Sequence, residues 1–261
     1  MLTLLSPAKK FNFDPVGTAM PFTEPLLAED TRELAKVAKQ QSADDLKRLM
    51  HISDNLAALN AGRFKAFKLD GQSNTSKPAV LAFDGDVYWG LDANSLSDDD
   101  LIFAQSRVRI LSGLYGVLRP MDKIQPYRLE MGTKLPTKRG TSLYDFWGSA
   151  IAEMLNDHLE GHVDKTVVNL ASGEYFKSVD KDALDTDIIE AKFLNIKNGK
   201  ARNLMYYAKY GRGLMTRWIV QNRIDMADDL RGFGLEDYVY DKDLSEDNLM
   251  VFTRKQPPGK G

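Results

Sequence analysis

The sequence predicts an α/β chain of mixed α+β character, folded as a single compact domain with a central mixed sheet, surrounding helices and a helix-hairpin-helix-like element. Three observations lead there. Short apolar runs of strand length recur at Leu2–Leu5, Val108–Leu111 and Thr166–Leu170, and longer segments with helical spacing separate them. Each run leaves into a turn of small and ionisable residues. With 261 residues, 43% of them hydrophobic, the chain can bury one sizeable core. The domain is expected over residues 1–255, with a flexible tail at 256–261.

Taken in order, Leu2–Leu5 is a strand that exits into Ser6-Pro7-Ala8-Lys9-Lys10, a turn whose cations suit an anion, although a plain surface turn reads the same way. Asp14–Pro25, with three prolines, is a loop. Leu26–Gln40 carries Leu27, Leu34, Val37 and Ala38 on one side and predicts a helix. Ser42 caps a second helix with acids in its first turn, and Ser53 or Asp54 caps a third that runs to about Phe67. Residues 69–78 are polar and turn-rich. Ala79–Phe83 reads as a buried strand, and Leu96–Ser106 as a helix capped by Ser97. Leu143–Leu159 has the spacing of one core-facing helix. Asn198-Gly199, between Ile188–Leu194 and Ala201–Leu204, predicts a hairpin. Met205–Asn222 predicts a helix that Gly211 and Gly213 weaken. Asp225–Leu230 reads as a last helix, and Tyr238–Tyr240 with Met250–Thr253 as a terminal hairpin.

Leu111–Met131, LSGLYGVLRPMDKIQPYRLEM, reads as a shaped loop rather than a core element, because glycines, prolines, arginines and carboxylates crowd together in it. Its position after a strand predicts the rim of a pocket. Two further strand exits, Asp84–Tyr88 and Ala171–Lys177, join it. The expected pocket residues are Asp84, Tyr88, Ser112, Tyr115, Tyr127, Ser172 and Tyr175, with Asp86, Glu130 and Glu174 as candidate acids or bases. Turn-forming aspartates are the plainer account of Asp84 and Asp86.

With no cysteine, disulfide, zinc-knuckle and thiol peroxidase chemistry are excluded. The chain has three histidines; His158 and His162 have metal-pair spacing, but Gly161 between them ends a helix, so no metal or cofactor is expected. No apolar run approaches the roughly 20 residues of a membrane span, and the opening MLTLLSPAKK is too short for a signal peptide, so no membrane association and a cytoplasmic location are expected. A monomer is favoured.

The net charge is −2, but its distribution is uneven. Lys192–Arg223 holds eight basic residues and no acid, Arg107–Arg139 eight against Asp122 and Glu130, and Asp225–Asp247 nine acids against two bases. If the two basic stretches fold together they make a positive cleft; two ordinary solvated faces are the alternative. The segment around Met50-His51-Ile52-Ser53 has the pattern of a helix-hairpin-helix, a motif that binds duplex DNA without sequence preference. His51 and Ser53 occupy its usual glycine sites. The expected DNA contacts are Lys9, Lys47, Arg48, His51, Ser53, Arg63, Lys65, Arg119, Arg128, Lys209, Arg212 and Arg217.

SPAK at Ser6–Lys9, FDGDVYWGL at Phe83–Leu91, LSGLYGVLRPMDKIQPYRLEM, NLASGEYFKSV at Asn169–Val179 and YAKYGRGLMTRWIVQN at Tyr207–Asn222 together resemble the YaaA peroxide-stress protein family over nearly the full length. The resemblance implies a cytoplasmic protein that limits intracellular iron and oxidative DNA damage, with a distinctive α/β fold, a helix-hairpin-helix and a positive DNA-binding cleft. It implies no enzymatic reaction. Two rival readings stand beside it. One is an enzyme acting on a nucleotide, base or damaged DNA, with Arg119, Tyr127, Arg128 and Glu130 orienting substrate. The other, direct iron storage, is disfavoured by the absence of a Glu-x-x-His pair on a helix.

Overall fold

A computed structural model describes residues 1–15, 21–71 and 73–257. The first strand, β1 (Leu2–Leu5), is fully buried. It leads through β2 (Lys10–Phe11) to three helices, α1 (Ala28–Lys39), α2 (Ala43–Met50) and α3 (Asp54–Ala66). Helix α2 starts where Ser42 and Asp45 form a reciprocal capping box, an arrangement worth about 1 kcal/mol. His51 closes it in the left-handed conformation at φ 52°, and Ser53 caps α3 two residues later, so the helix-turn-helix follows the expected boundaries.

Next come β3 (Lys77–Pro78), α4 (Ala79–Ala82), β4 (Phe83–Asp84), α5 (Asp86–Leu91) and α6 (Asp98–Arg107). The strand expected at Ala79–Phe83 is therefore one helical turn with a two-residue strand behind it. Four apolar residues suit either form, and the tertiary bonds decide: Ala79 and Val80 donate to the carbonyls of Asp122 and Pro120. The chain continues with β5 (Val108–Ser112), β6 (Gly116–Leu118) and β7 (Lys123–Ile124). Of Leu111–Met131, expected as the rim of a pocket, only Tyr127–Glu130 borders one, a small recess. Leu114, Tyr115, Val117, Leu118, Met121, Ile124, Tyr127 and Met131 are all buried, because β6 turns back antiparallel onto β5.

The helix expected over Leu143–Leu159 is two, α7 (Leu143–Trp147) and α8 (Ala150–Leu159). They break at Gly148, whose φ of 46° and ψ of −126° lie outside helical space. Then follow β8 (Val167–Leu170), α9 (Gly173–Phe176), β9 (Ile188–Lys197), β10 (Lys200–Arg202), α10 (Met205–Gln221), β11 (Val239–Tyr240) and β12 (Leu249–Lys255). The β9–β10 hairpin turns through Asn198 and Gly199, both at positive φ, as its twist requires. The expected helix at Asp225–Leu230 is only a tight 3₁₀ segment, Ala227–Gly232. Of the expected tail, residues 258–261 lie outside the described residues, as do 16–20 of the expected loop and Gln72 of the next; Gln256 still donates to the Ile196 carbonyl.

The sheet order is β11-β12-β9-β8-β1-β5-β6, with β10 beside β9. The inner run β12-β9-β8-β1-β5 is parallel, and β6, β10 and β11 add antiparallel edges. The chain therefore steps from β1 to β5 on one side, then crosses to β8 on the other side of β1. Such a reversal opens a crevice outside the carboxyl ends of the two central strands. Here that crevice lies beyond Leu5 and Leu170.

Helix α10 forms the far wall of this crevice by packing on α5 and β9. A Cβ at Gly213 would meet the Val87 carbonyl oxygen and lie 2.7 Å from the Leu91 nitrogen, and one at Gly211 would lie 2.7 Å from Phe193. The glycines expected to weaken this helix instead let its backbone approach its neighbours. Its other anchor is Arg217, whose guanidinium donates to the Leu91 and Asp92 carbonyls and to Ser95 Oγ at 2.9–3.0 Å, satisfying acceptors at the end of α5.

Candidate functional site

At the crevice the protein has a cavity of about 760 Å³, lined by Ser6–Lys10, Asp84–Trp89, Ser172, Glu174, Tyr175, Asn203, Met205, Ala208, Lys209 and Arg212. Its volume is in the range of small-molecule sites. The floor joins the two strand exits: the Ser172 amide donates to Ser6 Oγ at 2.8 Å, and the two hydroxyls lie 3.3 Å apart. Tyr88 spans the floor from α5 and donates to the Ser6 carbonyl at 3.0 Å. Burial raises the Tyr88 phenol well above its ordinary pKa, with Tyr127 and Tyr175 adding to the effect, so it stays a donor.

The walls carry both signs. Asp86 lies 3.7 Å from Lys209, and Asp84 accepts the Trp89 indole N–H at 2.6 Å, which holds a half-exposed ring at the cavity. Arg212 is part-buried, and burial lowers its pKa, with Glu190 acting against the shift. Among the described residues it forms no ion pair, and neither does Lys10. Glu174 accepts the Gly132 amide at 3.1 Å.

A small recess adjoins the cavity through Lys9 and Tyr175. There Lys9 and Arg128 both reach Glu130 Oε1 at 2.8 Å. Burial alone would raise the Glu130 pKa, but the Lys9 hydrogen bond and the Arg128 charge outweigh it and hold it below the usual carboxylate range. Arg63 stands over the Phe11 ring; burial lowers its pKa, and Arg128 lowers it further. Arg128 Nε is buried with no hydrogen-bond partner.

Of the expected pocket residues, Asp84, Tyr88, Ser172 and Tyr175 line the cavity, as do the candidate acids Asp86 and Glu174, while Glu130 sits in the recess. Ser112 and Tyr115 line neither, and Tyr127 lines only the recess. The hydroxyls of all three are spent inside the protein: Ser112 Oγ bonds Tyr127 OH at 2.6 Å, and Tyr115 OH accepts the Gln125 amide at 2.9 Å. Of the expected DNA contacts, Lys9, Lys209 and Arg212 face the cavity. Lys47 pairs with Asp54, Arg48 with Asp45 and Arg119 with the buried Asp122, while Lys65 is exposed on α3. His51 and Arg48 line a separate hollow of about 400 Å³ beside α2.

The two basic stretches differ. Arg107, Lys123 and Arg139 of the first are paired with Asp225, Glu24 and Asp30, whereas Lys197, Lys200 and Arg202 on the β9–β10 hairpin are exposed and, among the described residues, in no ion pair. Ser6, Lys10, Trp89, Asn203 and Met205 were not among the expected site residues; for Ser6 and Lys10 the exit of β1 was the available signal. Among the described residues no group of three His, Asp or Glu side chains is placed to hold a metal. His158 instead accepts from Arg109 Nε at 3.0 Å, and His162 from Arg107. No helix among the described residues is long and apolar enough to cross a membrane.

Residues 1–244 match the model of the family described as peroxide stress protein YaaA. The chain belongs to that family. As a YaaA-family member it is 52% identical to a UPF0246 protein of Phenylobacterium zucineum over 258 residues, covering 99% of this chain and 96% of that protein. A UPF0246 protein of Caulobacter vibrioides is 51% identical, with 98% and 100% covered, and one of Saccharophagus degradans 47%, with the same coverage. The motifs that carry the YaaA resemblance supply much of the cavity: Ser6–Lys9, Phe83–Leu91, Asn169–Val179 and the start of Tyr207–Asn222.

Proposed function

We propose that this YaaA-family protein is a cytoplasmic peroxide-stress protein that binds DNA without sequence preference along the cleft at the carboxyl ends of its parallel strands, and so limits oxidative DNA damage and the iron that promotes it. The observation that carries the reading is the set of cations Lys197, Lys200 and Arg202, in no ion pair among the described residues, on a hairpin whose chain runs on into the cavity wall at Asn203 and Met205. With Lys10, also in no ion pair among the described residues, they offer about four phosphate contacts, whereas Lys9 and Lys209 already pair with Glu130 and Asp86. The cations around the α2–α3 turn support the reading less, because Lys47 and Arg48 already have carboxylate partners.

Fluorescence anisotropy on a labelled duplex tests it. Four contacts give a slope of log K on log salt of about −3.6, so affinity falls about 150-fold between 50 and 200 mM salt. The triple variant Lys197→Gln, Lys200→Gln, Arg202→Gln is expected to reduce that slope by about 3. Absence of duplex binding, or affinity indifferent to salt, overturns the reading. In cells, the same triple variant is expected to leave more peroxide-induced strand breaks than the unaltered protein.

A second reading, catalysis on a nucleotide or damaged strand, is favoured by Asp86 and Glu174 sharing the cavity with Lys209. It predicts turnover that Asp86→Asn abolishes, and labelled damaged oligonucleotides recovered intact count against it.

A further inference from the structure

We infer that the cavity at the β1–β8 crevice holds one unstacked nucleotide unit, its base against Trp89 and its phosphate against Arg212 and Lys209. This deepens the DNA-binding reading and rests on it for the setting. It goes beyond it because phosphate contacts along a duplex need no cavity and no exposed indole.

Two independent features point to this ligand. The first is aromatic. Trp89 is 49% exposed in the middle of a short helix whose neighbours Val87, Tyr88, Gly90 and Leu91 are buried. Leaving so large an apolar ring in water costs burial free energy, and Asp84 fixes its orientation through the indole N–H. Met205, 74% exposed, lines the same cavity and adds a second apolar surface. A fixed indole at a cavity mouth is a platform for any base, since every base has a π face.

The second feature is electrostatic. Arg212 is partly withdrawn from water and, among the described residues, makes no ion pair and no side-chain hydrogen bond; only the charge of Glu190 acts on it, so the cavity contains a cation with unused donors. Lys209, one helical turn earlier on α10, brings a second cation to the same wall. A part-buried guanidinium with unused donors suits an anion with several acceptor oxygens, and a phosphate supplies them. A base in a duplex has both faces stacked on its neighbours, so it meets Trp89 only once it is unstacked. The cavity volume of about 760 Å³ accommodates one such unit.

Trp89 is itself the probe. Trp147 is fully buried and Trp218 packs against Phe233, so intrinsic fluorescence quenched by a titrated nucleotide reports chiefly on the exposed indole. Deoxyadenosine 5′-monophosphate is expected to quench the full-length protein saturably, and Trp89→Phe to remove most of the quenching. Deoxyadenosine is expected to bind about ten-fold more weakly than the nucleotide, and Arg212→Gln and Lys209→Gln each to narrow that difference. For oligo(dT), Trp89→Ala is expected to weaken binding about ten-fold while leaving the intact duplex unaffected. Circular dichroism of each variant separates ligand loss from misfolding. If the duplex binds but the nucleotide gives no saturable quenching and Trp89→Ala leaves oligo(dT) binding unchanged, the inference is overturned and the cleft reading stands. If no nucleic acid binds at all, both fall.

Discussion

Gly213→Ala is expected to be among the most damaging single-methyl additions to this chain, although alanine is the better helix former. The added carbon has no free space: it would stand in contact with the Val87 carbonyl oxygen and 2.7 Å from the Leu91 nitrogen, where ordinary contact begins at 3.4 Å. Both obstacles are backbone atoms of α5, so no rotamer change relieves them and the helix must shift. Forced overpacking costs about 3 kcal/mol, against a gain of roughly 1 kcal/mol in helix propensity. For a chain of this size the net loss lowers Tm by roughly 4–8 °C. Gly62→Ala in α3 is the control, because nothing lies within 4 Å of its added carbon. It removes backbone freedom from the unfolded chain and is expected to raise Tm by about 1–4 °C. Scanning calorimetry of the two variants decides the matter. A Gly213→Ala protein as stable as the parent, or a Gly62→Ala protein less stable than it, refutes the close-packing argument.

Acid is expected to destabilise the fold well above the range of ordinary carboxylates. Burial, together with Arg109 and Arg107 respectively, brings both His158 and His162 down to about 4 from 6.5. A base whose folded pKa is depressed leaves the unfolded chain binding protons first, so its stabilising effect is complete above about pH 6.5 and is lost as pH falls toward 4. Each histidine spans about 2.5 pH units at 1.36 kcal/mol, a ceiling near 3 kcal/mol, and screening of these part-exposed rings leaves about half. Urea midpoints measured from pH 7 to pH 4 should therefore fall, and the double variant His158→Asn, His162→Asn should flatten the decline; an unchanged slope counts against the arrangement. Asp122→Ala is expected to cost about 3–5 kcal/mol in urea unfolding. Its carboxylate has no solvent exposure and accepts from Thr23 Oγ1, the Arg119 amide and the Arg119 guanidinium, so deletion strands buried donors. A wild-type urea midpoint would show that the network contributes nothing.

The elements most legible in the sequence were those with local causes. Ser42, Ser53 and Ser97 each bond a backbone amide three residues on, and Asn198-Gly199 takes the positive φ values its turn needs, so caps and hairpin followed from neighbours alone. Where the reading failed, distant contacts decided. Ala79–Ala82 is helical because its amides meet Asp122 and Pro120, and Leu111–Met131 is core because β6 folds onto β5. Polar composition misled there: Ser112, Tyr115 and Tyr127 spend their hydroxyls inside the protein. Gly211 and Gly213 read as helix weakness because close approach is invisible without the partner. The strand-exit rule, by contrast, brought Asp84, Asp86, Ser172 and Glu174 to one cavity from their local surroundings. It did not mark Trp89, whose exposure only the packing of α5 on α10 reveals.

The position of β1 has a further consequence during synthesis. It is the earliest strand of the sheet to leave the ribosome, yet it lies at the centre, pairing with Val108–Ile110 on one side and with Val167–Leu170 on the other. Until Val108–Ser112 is made Leu2–Leu5 has neither neighbour, and until Val167–Leu170 is made it has only one, and closing such distant pairings is slow. The nascent chain should depend on chaperone cover until β8 emerges. Ser6 and Ser172 meet only at that step, and the crevice gains its far wall later still, when α10 is made.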